Sequence, residues 1–281
     1  MVHIVADSTC DLSKELVERY GITVVPLNIV LGDEEHADGV DITPDEIFRW
    51  ADENKTTPKT SAPPVERVIE VYQSLLQPGD EAVVFSISES MSSANAIFHM
   101  AATMLDEDNR IYVIDSKNLS TGIGLLVIEA AILAKEGEPA EQIVKKINEL
   151  VPRVRASFVV DTLVYLHRGG RCSGLSAMLG STIKLHPRIV VENGVMHSDK
   201  KYRGTMQKVL LSYAEDLEEA MRRAKKDRVF ITHSGSDAEI VDAVRDYLKS
   251  LQLFDEILET RAGGVVSSHC GPGTLGVLFI E

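Results

Sequence analysis

Cysteine is scarce in this chain. Cys10, Cys172 and Cys270 are odd in number, lie far apart and form no C-x-x-C pair. That usage excludes a disulfide framework and a cysteine-based zinc site, and it predicts a reduced, cytoplasmic setting. Only 10 prolines and 19 glycines in 281 residues exclude collagen-like and low-complexity classes, and a 44% hydrophobic content excludes wholesale disorder. Long apolar runs are missing too. The longest, Ile123–Ala134, contains Gly124 and Glu129 and is well short of the roughly 20 residues that a membrane helix needs. The opening MVHIVADSTCD has no basic stretch and reaches Asp7 early, which predicts no secretory signal. The eight histidines show no H-x-x-x-H pair, so no metal is expected. Neither G-x-x-x-x-G-K-[ST] nor G-x-G-x-x-G occurs, which leaves nucleotide binding of those kinds without support.

Basic residues are in deficit, 29 against 43 acidic for a net charge of −14, which argues against nucleic acid as a partner. The deficit is uneven. Between Val151 and Lys208 ten basic residues face only three acids, a surplus of seven, so the remainder carries −21. Such asymmetry points either to an anionic ligand or acidic partner near this segment, or to a face that balances its acidic surroundings.

The first half alternates short β-type runs with amphipathic helical ones, the pattern of a mainly parallel sheet flanked by helices. Strands are predicted at His3–Ala6, Ile22–Val30 (at an edge or bulge because of Pro26), Ala82–Ile87 and Ile111–Ile114. Thr43-Pro44-Asp45-Glu46 is a capping box. Val65, Val68, Ile69 and Tyr72 share one helical face, and further helices are predicted over Ser93–Met104, Leu119–Lys135 and Ala140–Leu150. In the second half Asn193-Gly194 signals a hairpin and hence a mixed sheet. A long helix Thr205–Ala224, a strand Val229–Thr232, a helix Ala238–Leu251 and strands at Ile257–Thr260, Val265–Ser267 and Leu275–Ile280 complete the reading. The expectation is an α/β chain of two domains, 1–152 and 153–281, the second with a mixed sheet and helices.

Four loops could carry chemistry. Thr60-Ser61-Ala62-Pro63-Pro64 precedes a strong helix; its hydroxyls and the helix-start N–H groups could bind an anion, or Ser61 could simply cap the helix. Ser88-Glu89-Ser90-Met91-Ser92-Ser93 follows a parallel strand, where open α/β sheets bind ligands; the bland alternative is a serine turn. His167-Arg168-Gly169-Gly170-Arg171 combines a sharp bend with a guanidinium that could hold an oxyanion. His269-Cys270-Gly271-Pro272-Gly273 places a histidine beside a tight turn.

Each loop alone says little, but the ordered set resembles the DegV family of bacterial fatty-acid-binding proteins over essentially the whole chain. The resemblance rests on Ile4-Val5-Ala6-Asp7-Ser8, Thr60-Ser61-x-Pro63, the serine loop ending at Ser92, Thr162-Leu163-x-Tyr165-Leu166-x-x-Gly169-Gly170-Arg171, Leu179-Gly180, Lys184-x-x-Pro187 and His269-x-Gly271-x-Gly273. It implies a DegV-like fold holding one long-chain fatty acid between two domains, with the tail in an apolar tunnel. Thr60 and Ser92 are then expected to bond the carboxylate, with Ser61, Ser93 and Gly271 of the same hydroxyl and turn motifs also ligand-binding, and Arg171 and His269 beside the headgroup. No cofactor is implied beyond the bound acid. A separate fatty acid kinase would phosphorylate that acid, so the protein would present substrate without catalysing. Here the serine loop reads Met91-Ser92-Ser93-Ala94-Asn95 where many members have L-S-G-T-Y, and Ala62 replaces a glutamine. The basic segment, chiefly Arg168, Arg171, Lys184, Arg188 and Arg203, would face the kinase, and a transient contact with a membrane surface suits such a carrier.

An enzyme is the competing class. Ser92 as nucleophile, His269 as base and Asp7 or Asp115 as orienter would make a lipid or ester hydrolase, although no G-x-S-x-G elbow occurs. A sugar or ketone-phosphate enzyme holding substrate covalently on His269 is a further alternative, since the family's fold resembles a dihydroxyacetone kinase domain.

Overall fold

The computed structural model describes residues 1–105, 110–172 and 185–281. Leu179, Gly180 and Lys184, singled out above, lie outside the described residues. In chain order the first half contains β1 (Val2–Asp7), α1 (Lys14–Tyr20), β2 (Ile22–Val25), β3 (Asn28–Leu31), β4 (Glu34–Ala37), α2 (Pro44–Asn54), β5 (Lys59–Ser61), α3 (Val65–Leu75), β6 (Glu81–Ser86), α4 (Ala94–Leu105), β7 (Ile111–Asp115), α5 (Thr121–Lys135) and α6 (Ala140–Leu150). The second half continues with β8 (Val154–Val159), α7 (Val164–Gly169), β9 (Leu185–Glu192), β10 (Val195–Arg203), α8 (Met206–Asp216), α9 (Glu218–Met221), β11 (Arg228–His233), α10 (Ala238–Leu251), β12 (Glu256–Arg261), α11 (Gly264–Cys270) and β13 (Leu275–Ile280).

Among the described residues three sheets form. A parallel sheet has the order β2-β1-β6-β7, with Ile4 opposite both Ile22 and Val83. A six-stranded mixed sheet has the order β10-β9-β8-β13-β11-β12, in which only β11 and β12 run parallel. A small antiparallel sheet, β4-β3-β5, completes the set. Between the two large sheets lies α5, packed against β1 and β6 on one side and β8 and β13 on the other. Every residue from Thr121 to Ile128 is buried; a helix apolar all round can be stable only in such a position. One hydrophobic core therefore runs from Ile4, Val83 and Phe85 through α5 to Ala156, Phe158 and Leu278.

Local signals act as the residues predict at several places. Thr43 and Glu46 form the reciprocal cap of α2. Asn193 and Gly194 adopt φ of 51° and 84° at the β9–β10 turn, the double positive-φ geometry of a tight hairpin. Elsewhere the expectations need correcting. The run Ile22–Val30 is two strands, because Pro26 ends β2 at the edge of the parallel sheet and β3 starts a different sheet. The helix expected over Thr205–Ala224 divides at Leu217 into α8 and α9, where the Leu217 N–H bonds Ala214 only three residues back. Thr60-Ser61 belongs to β5 rather than to a loop, and the cap position of α3 is Pro64, so Ser61 caps nothing. The apolar run before Gly169 is a strand followed by the short helix α7, which takes in His167 and Arg168. Most consequentially, Val265–Ser267 is helical. Its β-branched pair reads as a strand locally, but tertiary hydrogen bonds to the helix start override that preference.

Candidate functional site

A cavity of about 240 Å³ opens where the parallel sheet, the small sheet and the mixed sheet meet, and its walls include Thr60, Ser61, Ser92, Ser93, Arg171 and His269. Six of the seven residues expected from the sequence therefore converge. The seventh, Gly271, does not line it: at φ 76° it turns the chain beneath Tyr165, where any side chain would collide with the ring. The remaining wall is largely apolar, including Leu27, Ile87, Leu119, Met196, Val265 and Val266. A much smaller hollow adjoins it, sharing Leu119, Val266 and Cys270 and reaching Phe158 and Leu278.

The polar end is assembled from four distant pieces of chain. β5 pairs with β3, setting Thr60 opposite Ile29, and Thr60 Oγ1 lies 2.8 Å from His269 Nε2. His269 sits on the last turn of α11, and among the described residues its buried Nδ1 has no hydrogen-bond partner. Burial first, and the charge of Arg171 second, push its pKa down to about 4, so the imidazole is neutral at physiological pH. Gly169 explains part of that burial: a Cβ there would overlap Nδ1, so the ring packs directly on the backbone of α7.

The serine loop is built around buried Ser88. Its carbonyl accepts from the N–H groups of Met91 (2.9 Å) and Ser92 (3.2 Å), its own N–H bonds Asn118 O, and its hydroxyl donates to Gly194 O at 2.7 Å. Ser92 Oγ accepts from Ala94 N at 3.2 Å at the start of α4, which leaves its proton available to a ligand oxygen. Ser61 and Ser93 are exposed. Arg171, also exposed, spends two donors on carbonyls, Nη1 on Gly169 O (2.6 Å) and Nε on Met91 O (3.4 Å), and so spans from the end of α7 to the serine loop.

Among the described residues, neither carboxylate named for a hydrolase triad is bonded to His269. His269 meets Thr60 rather than a carboxylate. Asp7 is taken up by Thr9 and Ile87 N–H, and Asp115 by the N–H groups of Glu89 and Lys117. Among the described residues no group of three or more His, Cys, Asp or Glu could hold a metal ion, and no helix is long and apolar enough to cross a membrane. Of the basic segment, Arg188 is engaged by Asp199 and Lys200 by Asp216, whereas Arg168 and Arg203 are exposed. Sequence reasoning missed the apolar wall. Leu27 follows Pro26, Met196 lies in a hairpin, and Val265 and Val266 read locally as a strand, so no single period marks them.

Similarities to known proteins fit this geometry. A family model described as "Uncharacterised protein, DegV family COG1307" matches residues 1–281. The DegV domain-containing protein TTE1491 of Caldanaerobacter subterraneus subsp. tengcongensis is 33% identical over 100% of this chain and 99% of its own. A fatty-acid-binding DegV family protein from Thermus thermophilus superposes with a TM-score of 0.91 at 31% identity, covering 100% of this chain and 99% of that one. A stearic acid-binding protein from Eubacterium ventriosum gives a TM-score of 0.86 at 31% identity over 100% and 98% of the two chains. Matched along its whole length in sequence and in fold, the chain belongs to the DegV family.

Proposed function

We propose that this protein binds one long-chain fatty acid between its 1–152 and 153–281 units, carboxylate at Thr60 and Ser92, tail along the apolar wall, and presents it to a separate fatty acid kinase without catalysing. The observation that carries the reading is the neutral Thr60–His269 pair at the polar end of an otherwise apolar cavity. A carboxylate needs donors. With its proton on Nε2, His269 donates to Thr60 Oγ1, which frees the Thr60 hydroxyl to donate to the ligand; Ser92 supplies a second donor. Arg171 stands at the same end as the charge partner. A buried carboxylate without such donors would be costly.

The tail supplies the affinity. Sixteen carbons removed from water gain on the order of 13 kcal/mol at about 0.8 kcal/mol per CH₂; lost translational freedom and tail ordering offset several kcal/mol. The surplus predicts that ligand survives purification. Denaturing the purified protein, extracting with organic solvent and measuring by mass spectrometry should give near-stoichiometric fatty acid, strongly depleted in Thr60→Val/Ser92→Ala. A clean extract with no uptake of added palmitate or oleate would overturn the reading. For the kinase, the exposed Arg203 is the informative position, because Arg188 is already paired with Asp199. Arg203→Glu should impair phosphorylation of the bound acid while leaving its binding unchanged; unimpaired transfer would remove the basic segment from the docking surface.

A further inference from the structure

Four of the residues lining the cavity come from one short helix: Val265, Val266, His269 and Cys270 all lie on α11. The cap position of that helix is Gly263, which has no side chain with which to cap it. The cap is supplied from elsewhere in the chain. Gly263 N–H donates to Asp11 Oδ1 at 2.8 Å and Gly264 N–H to Asp38 Oδ1 at 2.7 Å. Both carboxylates are more than nine-tenths buried, Asp11 at 5% and Asp38 at 3% exposure.

The second oxygen of each carboxylate reaches a different wall. Asp11 Oδ2 accepts from the Ser120 hydroxyl, next to Leu119. Asp38 Oδ2 accepts from Ser8 Oγ at 2.7 Å, and Ser8 Oγ in turn accepts from Leu27 N–H at 3.1 Å. Leu119 and Leu27 both face the cavity. The two aspartates thus tie α11 to the two walls that it confronts. There is no slack at the seat of the helix, since a Cβ on Gly264 would stand 2.7 Å from Ile47 and 2.9 Å from Asp38 Oδ1. The Asp11–Ser120 bond also joins two non-glycine residues at positive φ, 51° and 54°, conformations that persist only where surrounding contacts over-determine them.

Plain capping does not require this arrangement. Asparagine or serine would cap a helix without the desolvation that raises the pKa of both groups here. A carboxylate differs in having two acceptor oxygens, and each aspartate uses both, one per wall. We propose that Asp11 and Asp38 are positioning residues: they fix α11 against the Leu27 and Leu119 walls so that His269 meets Thr60 in register. The consequence for ligand affinity rests on the fatty-acid-binding reading; the consequence for His269 does not.

Asp11→Asn and Asp38→Asn test this on the full chain. Each keeps size and one acceptor but loses the other. Two readouts are needed: oleate affinity of the delipidated protein by calorimetry, and the ring ¹⁵N signals of His269 in the ligand-free protein by NMR. We expect at least tenfold weaker oleate binding, and ring signals that move from one Nε2–H tautomer to an average of two. The ring signals decide the proposal. If they match the wild type in both variants, positioning is overturned even where affinity falls, because the loss is then general. Should either variant fail to fold, Ser8→Ala keeps both carboxylates and removes one donor; the same ring change with about threefold weaker binding supports the proposal, and wild-type ring signals overturn it. A wild-type protein that takes up no oleate would sink the fatty-acid reading while leaving the ring signals to judge the positioning.

Discussion

The two walls that meet at the polar end of the cavity are held in different ways. The serine loop takes its shape mainly from local bonds, Ser88 O accepting from Met91 and Ser92 N–H within four residues and Ser92 Oγ from Ala94 N–H, with Ser88 also tied to Asn118 O and Gly194 O. The α11 wall is held by carboxylates more than two hundred residues away in sequence, and its start fits only because Gly264 has no side chain. The locally shaped wall is readable from its composition and position after a strand. The other is visible only once the chain has folded, because its β-branched Val265 and Val266 read locally as a strand.

That contrast can be strained directly. Gly264→Val should have the largest effect. Its side chain would invade the space of Ile29 and Ile47, and overpacking of a closed core costs about 1–3 kcal/mol or more. Urea unfolding should show a loss at the top of that range or beyond, together with loss of ligand; a near-normal midpoint would mean that α11 can move.

Next comes pH. His269 is held at about 4 when folded against 6.5 for the free ring, so between these values the unfolded chain takes up a proton that the folded chain refuses. Stability from this group therefore falls as pH drops from 6.5 to about 4, by about 3 kcal/mol in total, and is level below. Asp7 acts oppositely, because burial raises its pKa to about 6 and the folded form gains protons first between 6 and 3.8. Asp11 and Asp38, whose pKa values burial also raises, act with the same sign as Asp7 and against His269 in the wild type, so the measurement is the difference in unfolding free energy between wild type and His269→Gln across that range. A difference independent of pH would contradict a buried neutral imidazole.

On the locally shaped wall the effects should be smaller. Ser88→Ala removes the hydroxyl bond to Gly194 O that ties the β9–β10 turn to the loop, leaving a carbonyl to find another donor, at a cost of about 1–2 kcal/mol. Thermal denaturation checks it. Smallest of all are Ser61→Ala and Ser93→Ala. Both residues line the cavity but are exposed, and such substitutions usually change stability by less than about 0.5 kcal/mol. Their oleate affinities should stay within threefold of the wild type, and a larger loss at Ser93 would add it to the proposed carboxylate donors.

Much of the fold was legible because its signals are local. The Thr43–Glu46 box, the Asn193-Gly194 turn and the periodic faces of α3 and α10 act over a few residues, and each formed where expected. The polar half of the cavity was legible as an ordered set of motifs. What escaped depends on distance in sequence. Nothing near Val265 announces that Asp11 and Asp38 will cap its helix, and nothing near Gly169 shows that a histidine ring will lie against it.

By itself, then, the sequence determined the α/β class, the strand and helix types of most elements, and the hydroxyl, arginine and histidine chemistry available for an oxyanion. Those depend on side-chain periodicity, capping and functional-group identity, which are properties of short segments. The tertiary structure alone decided that one core passes through α5 to join both sheets, that Thr60 and His269 share a hydrogen bond across 209 residues, and that Val265 and Val266 turn helical to line a cavity. Those outcomes come from burial and long-range hydrogen bonds, whose energies exceed local preference and exist only when distant segments have already met.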